Sequence, residues 1–278
     1  MPRNEETKQL IERALAEDAA FDDRTTRATV PEGAEGGAVI VAKADGVVSG
    51  TRIAEAVFAR LDPGLSQRWQ VADGRMVRAG DVIAELEGRL AALLAAERTA
   101  LNFLQHLSGI ATATRRFVDA VAGTGCRIAD TRKTVPGLRH LAKQAVRDGG
   151  GVNHRADLAE GMLIKENHIA AAGSITEAVR RCRTLSDKLW IEVECETLAE
   201  VEEAVAAAPD MILLDNMPPA MVREARRLVP GTIVLEASGN ITLENARTYA
   251  ETGVDRLAVG AITHSAGALD LSMRVLPL

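Results

Sequence analysis

From about residue 127 onward the chain alternates short apolar runs with amphipathic stretches, and this rhythm constrains the fold more than any other feature of its 278 residues. The runs Arg127–Asp130, Gly161–Lys165, Leu189–Glu194, Met211–Asp215, Thr232–Glu236 and Arg256–Val259 read as strands. Helices are expected over 138–148, 174–185, 197–208, 218–228 and 242–252. Ser174, Thr197 and Thr242 are the N-caps this spacing selects, and Glu177 and Glu200, three residues on, complete capping boxes at the first two. Strands that are apolar throughout, rather than alternating, suit a parallel sheet covered by helices. An α/β barrel and a doubly wound sheet both satisfy that pattern.

The residues that end the strands choose between the two. Asp130 leads into Arg132, Lys165, Glu194 and Asp215 close their runs, Glu236 leads into Ser238-Gly239, and Gly260 follows the last run. In a parallel barrel such ends converge on one mouth, whereas an open doubly wound sheet gathers only those beside its switch point. So many chemistry-bearing ends in succession favour an α/β barrel, and with only about six strands visible it is expected to be open or incomplete.

The first hundred residues have another character. An amphipathic helix from about Glu5 to Glu17 precedes the turn-rich Asp22–Thr26. AVIVAKADGVVSG and WQVADGRMVRAGDVIAELEG then read as short strands joined by turns at Asp45-Gly46, Asp73-Gly74 and Ala79-Gly80-Asp81, giving a smaller α+β domain. A helical stretch from Arg89 to Gly109 leads toward the barrel and carries Arg98 and Asn102 at i and i+4 on one face.

Charge narrows the function. The chain is acidic overall, at −6, yet the segment Asp130–Ile169 gathers Arg132, Lys133, His154, Arg155 and Lys165 among the glycine turns Pro136-Gly137 and Gly149–Gly151. A solvated basic face needs no glycines, because surface lysines do not require close backbone approach, so a small polyanionic ligand is expected. Both signs are spread along the rest of the chain, which argues against nucleic acid. The N-terminus MPRNEETKQL is polar and no apolar run nears the roughly 18 to 20 residues of a membrane span, so a cytoplasmic protein is expected. Cys126, Cys182 and Cys195 are odd in number and lack zinc or C-x-x-C spacing, as suits three reduced thiols.

The segments AERTALNFLQHLSGIAT, TRKTVPGLRHLAKQAVRDGGGVNHR, LIKENHI, IEVECET, ILLDNM, LEASGNI and VDRLAVGAITHSA, in that order, resemble the quinolinate phosphoribosyltransferase family over most of the chain. The resemblance implies transfer of phosphoribosyl from phosphoribosyl pyrophosphate to quinolinate, with loss of pyrophosphate and carbon dioxide, giving nicotinate mononucleotide for NAD. It implies magnesium and a homodimer. It also implies a sandwich-like N-terminal domain, residues 1–108 with the tail 268–278 packing against it, and an open α/β barrel over 109–267. By resemblance Arg132, Arg155 and His154 clamp the two carboxylates of quinolinate, the arginines in bidentate fashion. Lys133 and Lys165 resemble the lysines that contact the substrates, above all the phosphate-rich sugar. With Glu194 and Asp215 they make up the implied catalytic set, and the two acids would hold Mg2+ directly or through water. Thr131 and Asn240 are implied substrate contacts, Ser238, Gly239 and Gly260 offer backbone N–H groups to the sugar's 5′-phosphate, and Arg98 would reach into the partner subunit's site. Three departures stand out: Val135 where threonine is common, Asn240 in place of a glycine, and Asp22-Asp23-Arg24 instead of Gly-Asp. A relative associated with molybdate transport and a catalytically silent anion-binding module are the competing readings; intact LIKENHI, ECE and LDNM segments favour the transferase. His106, His140, His168 and His264 read as structural or surface residues.

Overall fold

The computed structural model describes residues 4–276. In chain order its strands are β1 (Glu35–Ala42), β2 (Gly46–Val47), β3 (Ser66–Trp69), β4 (Met76–Val77), β5 (Val82–Arg89), β6 (Arg127–Ala129), β7 (Met162–Ile164), β8 (Ile191–Cys195), β9 (Met211–Asp215), β10 (Val234–Ser238), β11 (Arg256–Ala258) and β12 (Leu271–Val275). They fall into two compact units. One holds the residues up to Ala113, Val135–Gly150 and those from Ser265 on; the other holds Thr114–Thr134 and Gly151–His264. Among the described residues no helix is long and apolar enough to cross a membrane.

The first unit is built on an antiparallel sheet ordered β12-β1-β5-β3. Ile40 of β1 faces Met273 on one side and Ala84 on the other, so the last strand of the chain completes a sheet begun near its start. Helix Thr51–Leu61, which the periodicity reading passed over, buries Ile53, Ala54, Val57 and Phe58. Its N-cap position is Gly50, which has no side chain, and Asp73 Oδ1 accepts from the Thr51 N–H at 3.0 Å in its stead. The turn expected at Asp22–Thr26 is instead the entry to a helix, Arg24–Thr29, whose N-cap Asp23 accepts from the Thr26 N–H at 3.0 Å. The helix expected to stop at Gly109 runs from Leu90 to Ala120. Gly109 is there for proximity rather than termination: a Cβ would lie 2.2 Å from the Gly267 carbonyl oxygen. Helix Arg139–Asp148 also belongs to this unit, and Ser49 Oγ donates to Asp148 at 2.7 Å.

The second unit is a six-stranded, wholly parallel sheet ordered β6-β11-β10-β9-β8-β7. The edge strands β6 and β7 do not pair, so the barrel is open, as expected. The loop 151–161 spans the seam: Val152 bridges to Ala129 of β6, and Arg155 Nη1 donates at 2.9 Å to the carbonyl of Gly161, just before β7. One face of the sheet is apolar, with Ile191, Val193, Ile212 and Leu214 all buried under helices, while the other mixes Met211 and Leu213 with Glu192, Glu194, Asp215 and Glu236. β10 begins two residues later than the run Thr232–Glu236, because Val234 is the residue that pairs with Met211 of β9.

The helices between the strands follow the expected spans to within about two residues, with two additions, the short Ala261–His264 after β11 and a longer one after β7. Helix Glu166–Ala172 starts directly after Lys165, whose N–H donates to His168 Nδ1 at 3.0 Å. Thr197 and Glu200 form the expected capping box. At Ser174 only half of the box exists: Ser174 Oγ accepts from the Glu177 N–H, while the Glu177 carboxylate turns to Arg180 and Arg181. Those two guanidiniums hold the Glu177 carboxyl down at about 2. Asn245 reaches back to the Thr242 N–H at 2.8 Å and closes a box where a cap alone was expected.

Candidate active site

The C-terminal ends of the parallel strands surround a cavity of about 260 Å³ in the second unit. Arg132, Lys133, Arg155 and Lys165 line it together with Glu194, Asp215 and Ser238. Thr131, His154, Asp130 and Glu236, with Leu163, Leu213 and Ala258, complete its wall. Asp130, fully buried, ties the seam loop to the end of β6 by accepting from the His154 N–H at 2.8 Å and from Asn153 Nδ2 at 2.6 Å. Thr131 Oγ1 accepts from the Lys133 N–H at 3.0 Å, and Thr263 Oγ1 donates to the Lys133 carbonyl at 2.8 Å. Gly260 leaves room for this lysine, since a Cβ there would stand 3.2 Å from Lys133 Cδ.

Like charges crowd one wall. Arg155 is buried, and burial first, then the neighbouring Arg132 charge, lowers its guanidinium pKa. Glu192 and Asp157 oppose that shift, and an anion beside the two guanidiniums would do the same, so the wall is chemically suited to a ligand of opposite sign. Facing it, Glu194 pairs with Lys165 and Asp215 accepts from Asn216 Nδ2 at 2.8 Å. Beyond Ser238 the chain turns through two residues of positive φ, Gly239 at 92° and Asn240 at 53°. Asn216, itself at φ 55°, packs so closely that a Cβ on Gly239 would lie 2.1 Å from its Oδ1. Asn240 donates from Nδ2 to that same Oδ1 at 3.1 Å, so the asparagine that departs from the family pattern serves this turn.

Below the mouth lies a second tier, in which the sequence reading named Glu236 only as a strand end and missed Glu192. Glu192 and Glu236 are fully buried, and His154 Nε2 lies 2.6 Å from Glu192 Oε2 and 3.9 Å from Glu236 Oε1. Burial first, and then the charge of Glu192, push the Glu236 carboxyl well above the usual carboxylate range, with Arg256 opposing. The signal was strand parity. Glu192 and Glu194, like Glu236 and Ser238, are two residues apart and therefore share a face. An acid inside an otherwise apolar buried run can only face the interior of the sheet.

Two groups of side chains could hold a cation. His154, Glu192 and Glu236 bring one ligand atom each within 4.8 Å of one another. The 2.6 Å His154–Glu192 contact is that of a hydrogen bond, however; ligands on a tetrahedral ion at about 2.0–2.1 Å stand roughly 3.3 Å apart. Glu194 and Asp215, hard oxygen donors on the adjacent strands β8 and β9 and open to the cavity, fit a magnesium ion that keeps waters and phosphate oxygens as its other ligands.

Of the residues selected from the sequence, the second unit therefore gathers all but one. Arg98 lies exposed on helix Leu90–Ala120 in the first unit. His140 Nε2 meets Thr7 Oγ1 at 3.3 Å, and burial lowers the pKa of both His106 and His140, as suits structural histidines. A second cavity in the parallel unit, of about 400 Å³, is walled largely by alanines and apolar side chains of β7 and helices Glu166–Ala172 and Ile175–Leu185; it lacks the opposed charges of the first.

Two family models match the chain in tandem: the N-terminal domain of quinolinate phosphoribosyl transferase over residues 23–108 and its C-terminal domain over residues 110–274. A probable nicotinate-nucleotide pyrophosphorylase [carboxylating] of Bacillus subtilis is 46% identical over 269 residues, covering 96% of this chain and 93% of that one. The nicotinate-nucleotide pyrophosphorylase [carboxylating] of Mycobacterium leprae is 44% identical, covering 96% of both. The solved structure of the nicotinate-nucleotide pyrophosphorylase from Francisella tularensis superimposes with a TM-score of 0.96 at 39% identity, over 99% of this chain and 98% of that one.

Proposed function

Because this chain belongs to the quinolinate phosphoribosyltransferase family, we propose that the cation-lined mouth of its parallel sheet is where quinolinate and phosphoribosyl pyrophosphate react. The protein is a nicotinate-nucleotide pyrophosphorylase (carboxylating): it transfers phosphoribosyl to quinolinate with decarboxylation, giving nicotinate mononucleotide, pyrophosphate and carbon dioxide in de novo NAD biosynthesis. One observation carries the assignment of the site. Four cationic side chains, Arg132, Lys133, Arg155 and Lys165, share one cavity with two opposed carboxylates, Glu194 and Asp215.

Each residue then takes a role its chemistry supports. Arg132 and Arg155 clamp the adjacent carboxylates of quinolinate, with His154 beside them. Lys133 and Lys165 meet the pyrophosphate and ribose oxygens. Thr131, Ser238, Gly239, Asn240 and Gly260 border the sugar's 5′-phosphate. The ring nitrogen attacks C1′ as the bond from C1′ to pyrophosphate breaks, and Glu194 and Asp215 face the positive charge that develops on the ribose. Glu194 and Asp215 would hold Mg2+, which when bound would supply positive charge to offset that of the departing pyrophosphate. The ring, now cationic at N1, accepts the electron pair left at C2 when carbon dioxide departs, and C2 then takes up a proton. Alignment and exclusion of water from the carboxylate are what the site has to supply. No nucleophilic Ser or Cys is required, and Cys126 and Cys195, both pushed up to about 12 chiefly by burial, are unsuited to the part. We place the enzyme in the cytoplasm, a reading supported by its three free thiols. We also read it as a homodimer whose Arg98 serves the partner's site.

The test is to incubate the purified chain with quinolinate, phosphoribosyl pyrophosphate and Mg2+ and to measure nicotinate mononucleotide. Arg155→Lys keeps the charge but loses the fork, and is expected to raise KM for quinolinate at least tenfold while the far-ultraviolet circular dichroism stays unchanged. An unaltered KM would remove Arg155 from the quinolinate site.

A further inference from the structure

His154 is restrained from three directions. Its backbone N–H donates to Asp130 at 2.8 Å, its Nε2 meets Glu192 Oε2 at 2.6 Å, and its ring stands edge-on to Trp190, with centroids 5.5 Å apart and planes at 87°. Trp190 is itself wedged against Gly161, where a Cβ would come within 2.2 Å of the indole. The imidazole is almost wholly withdrawn from solvent, at 8% side-chain exposure, yet it forms part of the cavity wall beside Arg132 and Arg155. Glu192 itself is 0% exposed and does not line that cavity, so whatever it contributes to the reaction passes through another side chain.

Burying a carboxylate in the interior of a sheet is costly unless it is partnered. One of the Glu192 oxygens, Oε1, makes no hydrogen bond within the chain, and the other is committed to His154. A core that needed only volume would place an apolar side chain here, as β9 does with Met211, the buried residue opposite Glu192. A carboxylate fixed to one imidazole nitrogen decides which nitrogen carries a proton toward it and how the ring is turned, which is how carboxylates orient functional histidines in many sites.

We propose that Glu192 is a positioning residue for phosphoribosyl transfer: by accepting the Nε2–H of His154 it holds the imidazole in the one orientation that meets a carboxylate of the bound pyridine dicarboxylate. The proposal rests on the placement of quinolinate against His154 given above. Energy spent in ordering His154 is then spent at folding, and is not drawn from substrate binding.

A double-variant cycle tests it, with KM for quinolinate, KM for phosphoribosyl pyrophosphate and kcat read separately. Glu192→Leu should raise KM for quinolinate about tenfold and leave that for phosphoribosyl pyrophosphate within twofold. Glu192→Gln, whose amide oxygen accepts the same hydrogen bond, should restore most of the loss. In a His154→Ala background, Glu192→Leu should add less than twofold. Multiplicative losses in the double variant, or a Gln variant as impaired as the Leu variant, would overturn the positioning role. A His154→Ala chain with unchanged KM for quinolinate would instead overturn the placement of the substrate, and the proposal with it. If the Leu variant fails to fold, Glu192→Ala takes its place in the cycle, with thermal melting recorded to show that the fold is retained.

Discussion

Gly239 shows how strictly a single position at the mouth is determined. Its φ of 92° favours glycine, and a Cβ would meet Asn216 Oδ1 at 2.1 Å. Gly137 has a similar φ, 81°, but nothing lies within 4 Å of where its Cβ would be. Gly137→Ala is therefore expected to cost only the backbone term, about 1–2 kcal/mol. Gly239→Ala should cost at least about 1 kcal/mol more, because the Asn216–Asn240 turn has to open. Urea unfolding midpoints of the two variants make the comparison, and equal losses would show that Asn216 exerts no steric control. At this scale the sequence was legible wherever a charged residue ends a strand, as Asp215 does, or directly follows one, as Lys165 does. It was opaque at Glu192, whose role depends on which face of β8 points inward, and at Asn216, whose importance comes from a backbone turn with no sequence repeat.

Helix boundaries were the most readable elements, because caps are local chemistry. Thr197 and Glu200 satisfy each other's backbone N–H groups, at 3.2 and 3.1 Å. Thr197→Ala should cost about 1 kcal/mol and lower the melting temperature by about 2–4 °C, a shift that differential scanning calorimetry resolves. Helix Glu166–Ala172 escaped notice for an equally local reason. Its cap is an N–H donated from Lys165 to the His168 ring, a pairing outside the usual Ser, Thr, Asp and Asn set. Helix Thr51–Leu61 was hidden by the distance in sequence to its cap, Asp73. The extension of Leu90–Ala120 beyond Gly109 was hidden because glycine reads as a stop until the passing Gly267 backbone is known. Tertiary proximity, in each of these cases, supplied what propensity could not.

At the scale of the molecule, the resemblance to the family carried the reaction while the strand rhythm carried the architecture. Arg98 is the residue whose role most needs a second copy. If the site is shared across a dimer, a mixture of Arg98→Ala chains with Lys165→Ala chains should form heterodimers having one intact site, and should recover measurable nicotinate mononucleotide synthesis that neither variant shows alone. Heterodimers confirmed by mass with no recovered activity would count against a trans-acting Arg98.

The chain passes between its two units more than once, and β12, the strand that lies against β1, comes from the far end. For a chain made from its N-terminus, β1 emerges long before its neighbour exists. At about 5–20 residues per second the wait is on the order of ten seconds to a minute. Throughout that interval one edge of β1 presents unpaired N–H and C=O groups, a template that nascent chains on neighbouring ribosomes could also extend. The order of synthesis thus leaves an edge of the N-terminal sheet in need of shielding during translation, though that sheet holds none of the cavity-lining residues.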